Sequence, residues 1–386
     1  MSINYVKNEN DLTVTITLTE EEFENHFCFC TDCGELLFIS EAIRIDGDWY
    51  CQGCTTTCDY CGCIIPIQDS YKAEDSDYDY CYACYMEETY RCDDCGRRFR
   101  YDDSLHEVND RWYCDGCYDD HRPVIQSYHT QKDYGDIQFY GDESRRDAVF
   151  MGFELEVDSD QRFNREEVAS ELKDRFGNYF SYEEDGSLTP GRGFEIISQP
   201  ASLSYHLSMM PKYASAFEYL LENGVKSHDV GTCGLHIHLD RKYFGDKEDS
   251  SIAKMLYIFE KFRPELMTFS RRNEGQLSDW ARSRKQNYSS NAGWIKKAVL
   301  EGRSYSSYQN RYYAVNLTND NTIEIRMWRG SLNPQTFEAT LKFTARLAEL
   351  CKNTRAVDLA KMSFEDILLS SSDEVILSYW NRVNSK

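Results

Sequence analysis

Twelve cysteines between positions 30 and 117 fall into three copies of one unit: Cys30-x2-Cys33-x17-Cys51-x2-Cys54, Cys58-x2-Cys61-x19-Cys81-x2-Cys84 and Cys92-x2-Cys95-x18-Cys114-x2-Cys117. Two residues between cysteines let a tight knuckle aim both sulfurs at one metal, and the near-constant interval is long enough for a β-hairpin that returns the second pair. Gly34, Gly62 and Gly96 each follow a leading pair, where a positive φ is commonly needed. A unit of this size buries too little to fold alone, so bound metal must supply the folding free energy, on the order of 10 kcal/mol per site. The spacing predicts three structural Zn2+ sites of four thiolates each and a small β-rich array. Pairing within each repeat is the simplest arrangement, and a cross-braced one has the same spacing. Cys28 and Cys63 fall outside the pattern, while Cys233 and Cys351 are expected to be buried in a later domain.

The opening MSINYVKNENDL lacks signal-peptide character and no run of 18 apolar residues occurs, so a reducing, cytoplasmic setting is expected, in which cysteines serve metals better than disulfides. The repeat resembles tandem LIM-type or treble-clef zinc modules. It departs from them in the three-residue linker between Cys54 and Cys58 and in having cysteine where a LIM module often has histidine. Such modules mostly bind proteins. Residues 1–146 carry 32 acidic and 12 basic side chains, against 34 and 31 in 147–386. So negative a surface repels a nucleic-acid backbone and fits a protein partner or macromolecular substrate with a basic face.

The sequence divides into an N-terminal arm (1–27), the zinc modules (28–120), a lead-in (121–147) and a larger α+β domain (148–386). In the arm, residues 12–18 alternate like a strand and 20–24 form an acidic helix start. In the larger domain, Asn164 and Glu167 open a helix that Gly177 ends, and further helices are expected over 203–221, 251–262 and 335–350, the last with Asn333 as cap and Pro334 at its first position. The strands carry the chemistry. Alternation sets Phe153, Leu155 and Val157 against Glu154, Glu156 and Asp158. Likewise Leu235, Ile237 and Leu239 oppose His236, His238 and Asp240, and Ile323, Ile325 and Met327 oppose Glu324, Arg326 and Trp328. Glu195 lies in a further strand, GFEIIS. Each strand alone reads as half-exposed in an antiparallel sheet. Together they present carboxylates, imidazoles and guanidinium on one face, a set that suits hard divalent cations and phosphate oxygens. No phosphate-binding glycine loop or dinucleotide fingerprint is present.

The stretches 152–157, 185–188 (DGSL), 195–198, 234–239, 270–272, 311–317 and 322–333 resemble the amidoligase family, within the carboxylate-amine ligases of glutamine synthetase-like fold. Tyr128 and His129 resemble the segment that precedes the first strand of that family. The resemblance implies an antiparallel sheet packed with helices and an ATP-dependent ligase that forms amide or isopeptide bonds through an acyl phosphate. It implies Mg2+ or Mn2+ held by Glu154, Glu156, Glu195, His236 and Glu324. His238 and Arg326 match positions near the nucleotide phosphates, and Arg311 and Arg329, with Arg271 or Arg272, match phosphate or acyl-phosphate contacts. Asp185 and Ser187 would line the substrate end. Two alternatives stay open: an adaptor with a degenerate ligase domain, and a phosphotransferase like the phosphagen kinases, which stops at phosphoryl transfer. The basic residues Arg271, Arg272, Arg282, Arg284 and Lys285 read as a solvated or substrate-facing helix in preference to a nucleic-acid patch.

Overall fold

The structure is a computed structural model describing residues 2–7, 12–101, 105–108, 110–127, 137–161, 163–228, 233–284, 293–302, 311–370 and 372–385. Tyr128, His129 and Lys285 lie outside the described residues. Contacts divide the chain into two compact units, Met1–Pro123 and Val124–Lys386. No described helix is long and apolar enough to cross a membrane.

The first unit opens with an antiparallel hairpin of Ser2–Lys7 and Leu12–Thr17. The acidic run then starts the helix Glu20–His26, closed by a capping box: Thr19 Oγ1 accepts from the Glu22 amide and Glu22 Oε2 accepts from the Thr19 amide. Three hairpins follow, pairing Phe27–Phe29 with Leu36–Phe38, Thr55–Thr57 with Ile64–Pro66, and Thr89–Arg91 with Arg98–Arg100. Each carries a leading cysteine pair in its turn. Gly34, Gly62 and Gly96 take φ of 73°, 76° and 72°, and their amides return to the carbonyls of Cys30, Cys58 and Cys92, which closes the knuckle.

The second cysteine pair of each repeat sits at the start of a short helical segment, Gln52–Cys54, Tyr82–Glu88 or Asp115–His121, with Cys51, Cys81 or Cys114 as its N-cap. A knuckle joined to a helix start is the treble-clef layout. The returning hairpin is present in the first and third modules, as Ile43–Ile45 with Asp48–Tyr50 and His106–Val108 with Arg111–Tyr113. In the second it shrinks to a single bridge, Tyr71 to Tyr80. Asp75, Ser76 and Asp77 occupy that interval and favour turns over a ladder.

The second unit is α+β. Its sheet comprises β1 (Ile125–Gln126), β2 (Phe150–Val157), β3 (Phe180–Glu183), β4 (Phe194–Ser198), β5 (Ala201–Ser202), β6 (Gly234–Asp240), β7 (Val315–Asn316) and β8 (Thr322–Arg329). The order is β1-β3-β4-β2-β6-β8-β7, with β5 beside β2, and every pairing but β1 with β3 is antiparallel. The odd-numbered positions of β2, Phe153, Leu155 and Val157, pack with Leu235, Ile237, Ile323 and Ile325 into one core under the helices. The expected helices form as Arg165–Phe176, Leu203–Glu222, Glu248–Lys261 and Pro334–Asn353. Asn164 and Asn333 cap the first and last of these, accepting from the amides of Glu167 at 3.2 Å and Thr336 at 2.9 Å.

One strand departs from simple alternation. Between β6 and β8 the register slips at Leu235/Ile237: Trp328 pairs with Leu235 and Ile325 with Ile237, so Arg326 and Met327 together face His236. This β-bulge shifts the phase. Trp328 does not join Glu324 and Arg326 on the polar face, as strict alternation requires. Its ring is 1% exposed and packs against Phe259, Phe269 and Phe343 of the helical layer. The basic run is also no helix. Glu274–Trp280 ends before it, and the peptide at Arg282 bridges to Tyr313. Arg284 is buried, and both guanidiniums lie against the Tyr313 ring.

Candidate active site

In the first unit, three cysteine tetrads gather their sulfurs: Cys30, Cys33, Cys51 and Cys54; Cys58, Cys61, Cys81 and Cys84; and Cys92, Cys95, Cys114 and Cys117. Pairing is thus within each repeat. The sulfur separations Cys33–Cys51, Cys61–Cys81 and Cys95–Cys114 are 3.8, 3.9 and 3.9 Å. A tetrahedron with Zn–S of about 2.3 Å has an edge of about 3.8 Å, which these three separations match. Burial raises the first thiol of each tetrad, yet backbone amides aimed at the sulfur bring Cys30, Cys58 and Cys92 down to about 6, poised as thiolates. Cys28, Cys233 and Cys351 are buried, whereas Cys63 is exposed with its sulfur 3.3 Å from that of Cys61.

In the second unit, strand register builds the site. Glu154 on β2 stands opposite His236 on β6, Glu156 opposite Glu195 on β4, and His238 opposite Glu324 on β8. Cross-strand partners share a face, so all six side chains meet on one side of the sheet. Glu154 is held from two sides: Oε2 is 3.1 Å from His236 Nδ1 and Oε1 is 2.9 Å from His238 Nε2. His236 also lies 3.8 Å from Glu156 and 3.6 Å from Glu324. Glu324 pairs with Arg326 and accepts from Asn316 Nδ2 at 2.7 Å, while Glu156 accepts from the amide of Gly234. The groups Glu154–Glu195–His236 and Glu154–His238–Glu324 each converge closely enough to share one ion.

Four carboxylates in a buried patch are electrostatically costly unless cations balance them. Burial works against ionisation of both Glu154 and Glu324, but His238 and His236 hold Glu154 well below the usual carboxylate range, and Arg326 and His238 lower Glu324. Glu195 is pushed well above that range, first by burial and then by Glu154, Glu156, Asp185 and Glu183. No cation balances Glu195 within this group. Carboxylate oxygens with imidazole and one uncompensated carboxylate are a fitting donor set for Mg2+ or Mn2+.

A cavity of about 550 Å³ opens on this face. Glu183, Asp185 and Glu195 line one part of it, and His238, Arg311 and Arg326 another. A sequence profile for the family described as "Putative amidoligase enzyme" matches residues 91–348. The chain belongs to the amidoligase family. It is a ligase by that membership, and the match begins at the third cysteine module, well before the first strand of the sheet. This amidoligase-family chain is also similar to a solved structure titled "Apo GmaS without ligand", with 12% identity, a TM-score of 0.35 and coverage of 62% of this chain and 68% of that one. No curated protein matches it.

Within the amidoligase unit, other expected residues lie elsewhere. Ser187 is not among the cavity-lining residues; its amide donates to Asp185 Oδ1 at 2.6 Å and so fixes the Asp185 turn. Arg271 and Arg272 line a second cavity, and Arg329 donates to the Arg271 carbonyl at 3.3 Å. The sequence reading gave no role to Asn316 and Asn319, which hold Glu324, or to Arg145, which grips Asp240 through two bonds of 2.6 and 2.9 Å. Asn316 lies inside a stretch that resembles the family, so a signal was present. Arg145 offered none.

Proposed function

We propose that this protein activates a carboxylate with ATP and joins it to an amine, forming an amide or isopeptide bond through an acyl phosphate. The observation that supports it best is Glu154 clasped between His236 and His238 beside the uncompensated Glu195, at the floor of a cavity that also holds Arg326. Glu154, Glu156, Glu195, His236 and Glu324 would hold Mg2+ or Mn2+. When bound, such ions screen the crowded oxygens of the phosphates and the carboxylate. His238, Arg311 and Arg326 face the phosphate oxygens, Arg326 being positioned by Glu324. The substrate carboxylate attacks the γ-phosphorus and ADP leaves; the amine then attacks the acyl carbon and phosphate leaves. Asp185 and Glu183 receive the amine as its ammonium form and relieve it of a proton. Exclusion of water from the cavity once both substrates fill it would protect the acyl phosphate.

The zinc modules recruit a protein partner or macromolecular substrate with a basic surface, as their acidic composition favours. Removing residues 28–84, the two modules outside the family match, should impair action on such a substrate more than ATP turnover. Equal loss of both would make the modules a structural support instead.

Incubation of the full chain and Mg-ATP with pools of amino acids, peptides and basic proteins tests the reaction. New amide adducts in the mass spectrum, with ADP release that needs both carboxylate and amine, are expected. Net ADP release with a phosphorylated product and no amine requirement would make it a kinase.

A further inference from the structure

The cavity lined by Arg271 and Arg272 measures about 980 Å³ and contains Lys226, His228 and Arg382 as well. No aspartate or glutamate is among its described lining residues. In a chain with 66 acidic residues against 43 basic ones, that exclusion needs a reason.

The cations crowd one cavity, and the carboxylates that reach them, Asp160 at Lys226 and Glu156 near Arg272, lie outside its described lining. Lys226 has a carboxylate, Asp160, at 2.5 Å. The Arg271 guanidinium lies 3.4 and 3.5 Å from the two ring nitrogens of His228 and also bonds to Tyr379, while its Nε is buried without a hydrogen-bond partner. Arg272 donates to the Cys233 carbonyl at 2.8 Å. Arg382 Nη2 lies 2.9 Å from Thr336 Oγ1, in the first turn of the 20-residue helix Pro334–Asn353. That turn has no acidic residue, and a helix N-terminus stabilises anions and opposes cations. A guanidinium there is placed against the helix field. An anion in this cavity would relieve the close approach of Arg271 to His228 and the placing of Arg382 at a helix N-terminus.

We propose that this cavity is a binding site for a multiply charged oxyanion, either a phosphate-bearing group or a polycarboxylate, held by Lys226, His228, Arg271 and Arg382. Guanidinium forks match both oxyanions, and the charge-assisted bonds they form are the strong kind. The site is distinct from the carboxylate cluster on the sheet. Gly234 marks the border: a Cβ there would lie 3.1 Å from Arg272 Nη2 and 3.2 Å from Glu156 Oε2. Arg272 thus faces both sides, and an occupant of the cavity sits one guanidinium away from the cluster.

The test uses the full chain without divalent cations, titrated separately with inorganic pyrophosphate and with citrate by calorimetry. At least one probe should bind, with at least tenfold weaker affinity in Arg382→Glu, a change at an exposed position, and in His228→Ala. Zinc content and circular dichroism check that both variants fold. Tighter pyrophosphate assigns a phosphate-bearing ligand and tighter citrate a polycarboxylate. If neither probe binds, or if both folded variants bind as the parent does, the site does not exist. The measurement needs no ATP turnover, so it stands or falls separately from the ligase reaction.

Discussion

His238 Nε2 lies 2.9 Å from Glu154 Oε1, and the pair is largely buried where three strands of the sheet meet. Burial alone would strip the imidazole of its proton. The Glu154 carboxylate outweighs it and raises His238 to about 9, while the imidazoles lower Glu154.

The signs follow from linkage. The His238 contribution to stability of the metal-free protein is full below its ordinary 6.5 and is lost as pH rises through about 9. The Glu154 contribution is present above its ordinary 4.5 and is lost on acidification. A metal that takes Glu154 removes this support for the His238 charge, so a proton should leave. Mg2+ affinity should therefore rise between pH 7 and 9, with proton release seen by calorimetry in buffers of different ionisation enthalpy. A flat pH profile would separate Glu154 from the metal.

Glu195 is the reverse case. Its raised pKa means that the metal-free fold resists its ionisation, at a cost that grows as pH rises above the ordinary carboxylate range. Glu195→Gln should stabilise the metal-free protein at pH 8 by about 1 kcal/mol, a gain of about 2–4 °C in Tm, and should weaken Mg2+ binding. Stability lost along with metal affinity would mean that the carboxylate is needed by the fold itself.

Gly234 is fixed by space. An added Cβ would stand 2.9 Å from His236 Nε2 as well as close to Arg272 and Glu156. Gly234→Ala should cost about 1–3 kcal/mol through overpacking and displace His236 from its partners. Thermal unfolding and Mg2+ titration check both effects, and unchanged metal binding would show that His236 is not a ligand.

For the zinc modules, Cys92→Ser should lower zinc by one ion per chain of the three expected. It should also expose the third module to protease, with the first two tetrads intact. Loss of all three ions together would show instead that the modules fold as one cooperative unit.

What the sequence made legible was local or periodic. The cysteine tetrads follow from ligand spacing, and Glu154, His236 and Glu324 share a face because a strand alternates. Trp328 escaped that logic because a bulge is set by how β8 pairs with β6, which neither strand announces by itself. Arg145 and Asp240 are 95 positions apart, and the cationic cavity collects Lys226, Arg271 and Arg382 from segments with no common pattern. Such relations arise only when the chain has packed.

The most direct measurement is ADP release by the full chain with Mg-ATP and the substrate pools, beside Glu154→Gln and Arg326→Ala of unchanged zinc content. Turnover in the parent and at least a hundredfold loss in both variants is the predicted result. Parent-like turnover in both variants would contradict the assignment of the reaction to this face of the sheet.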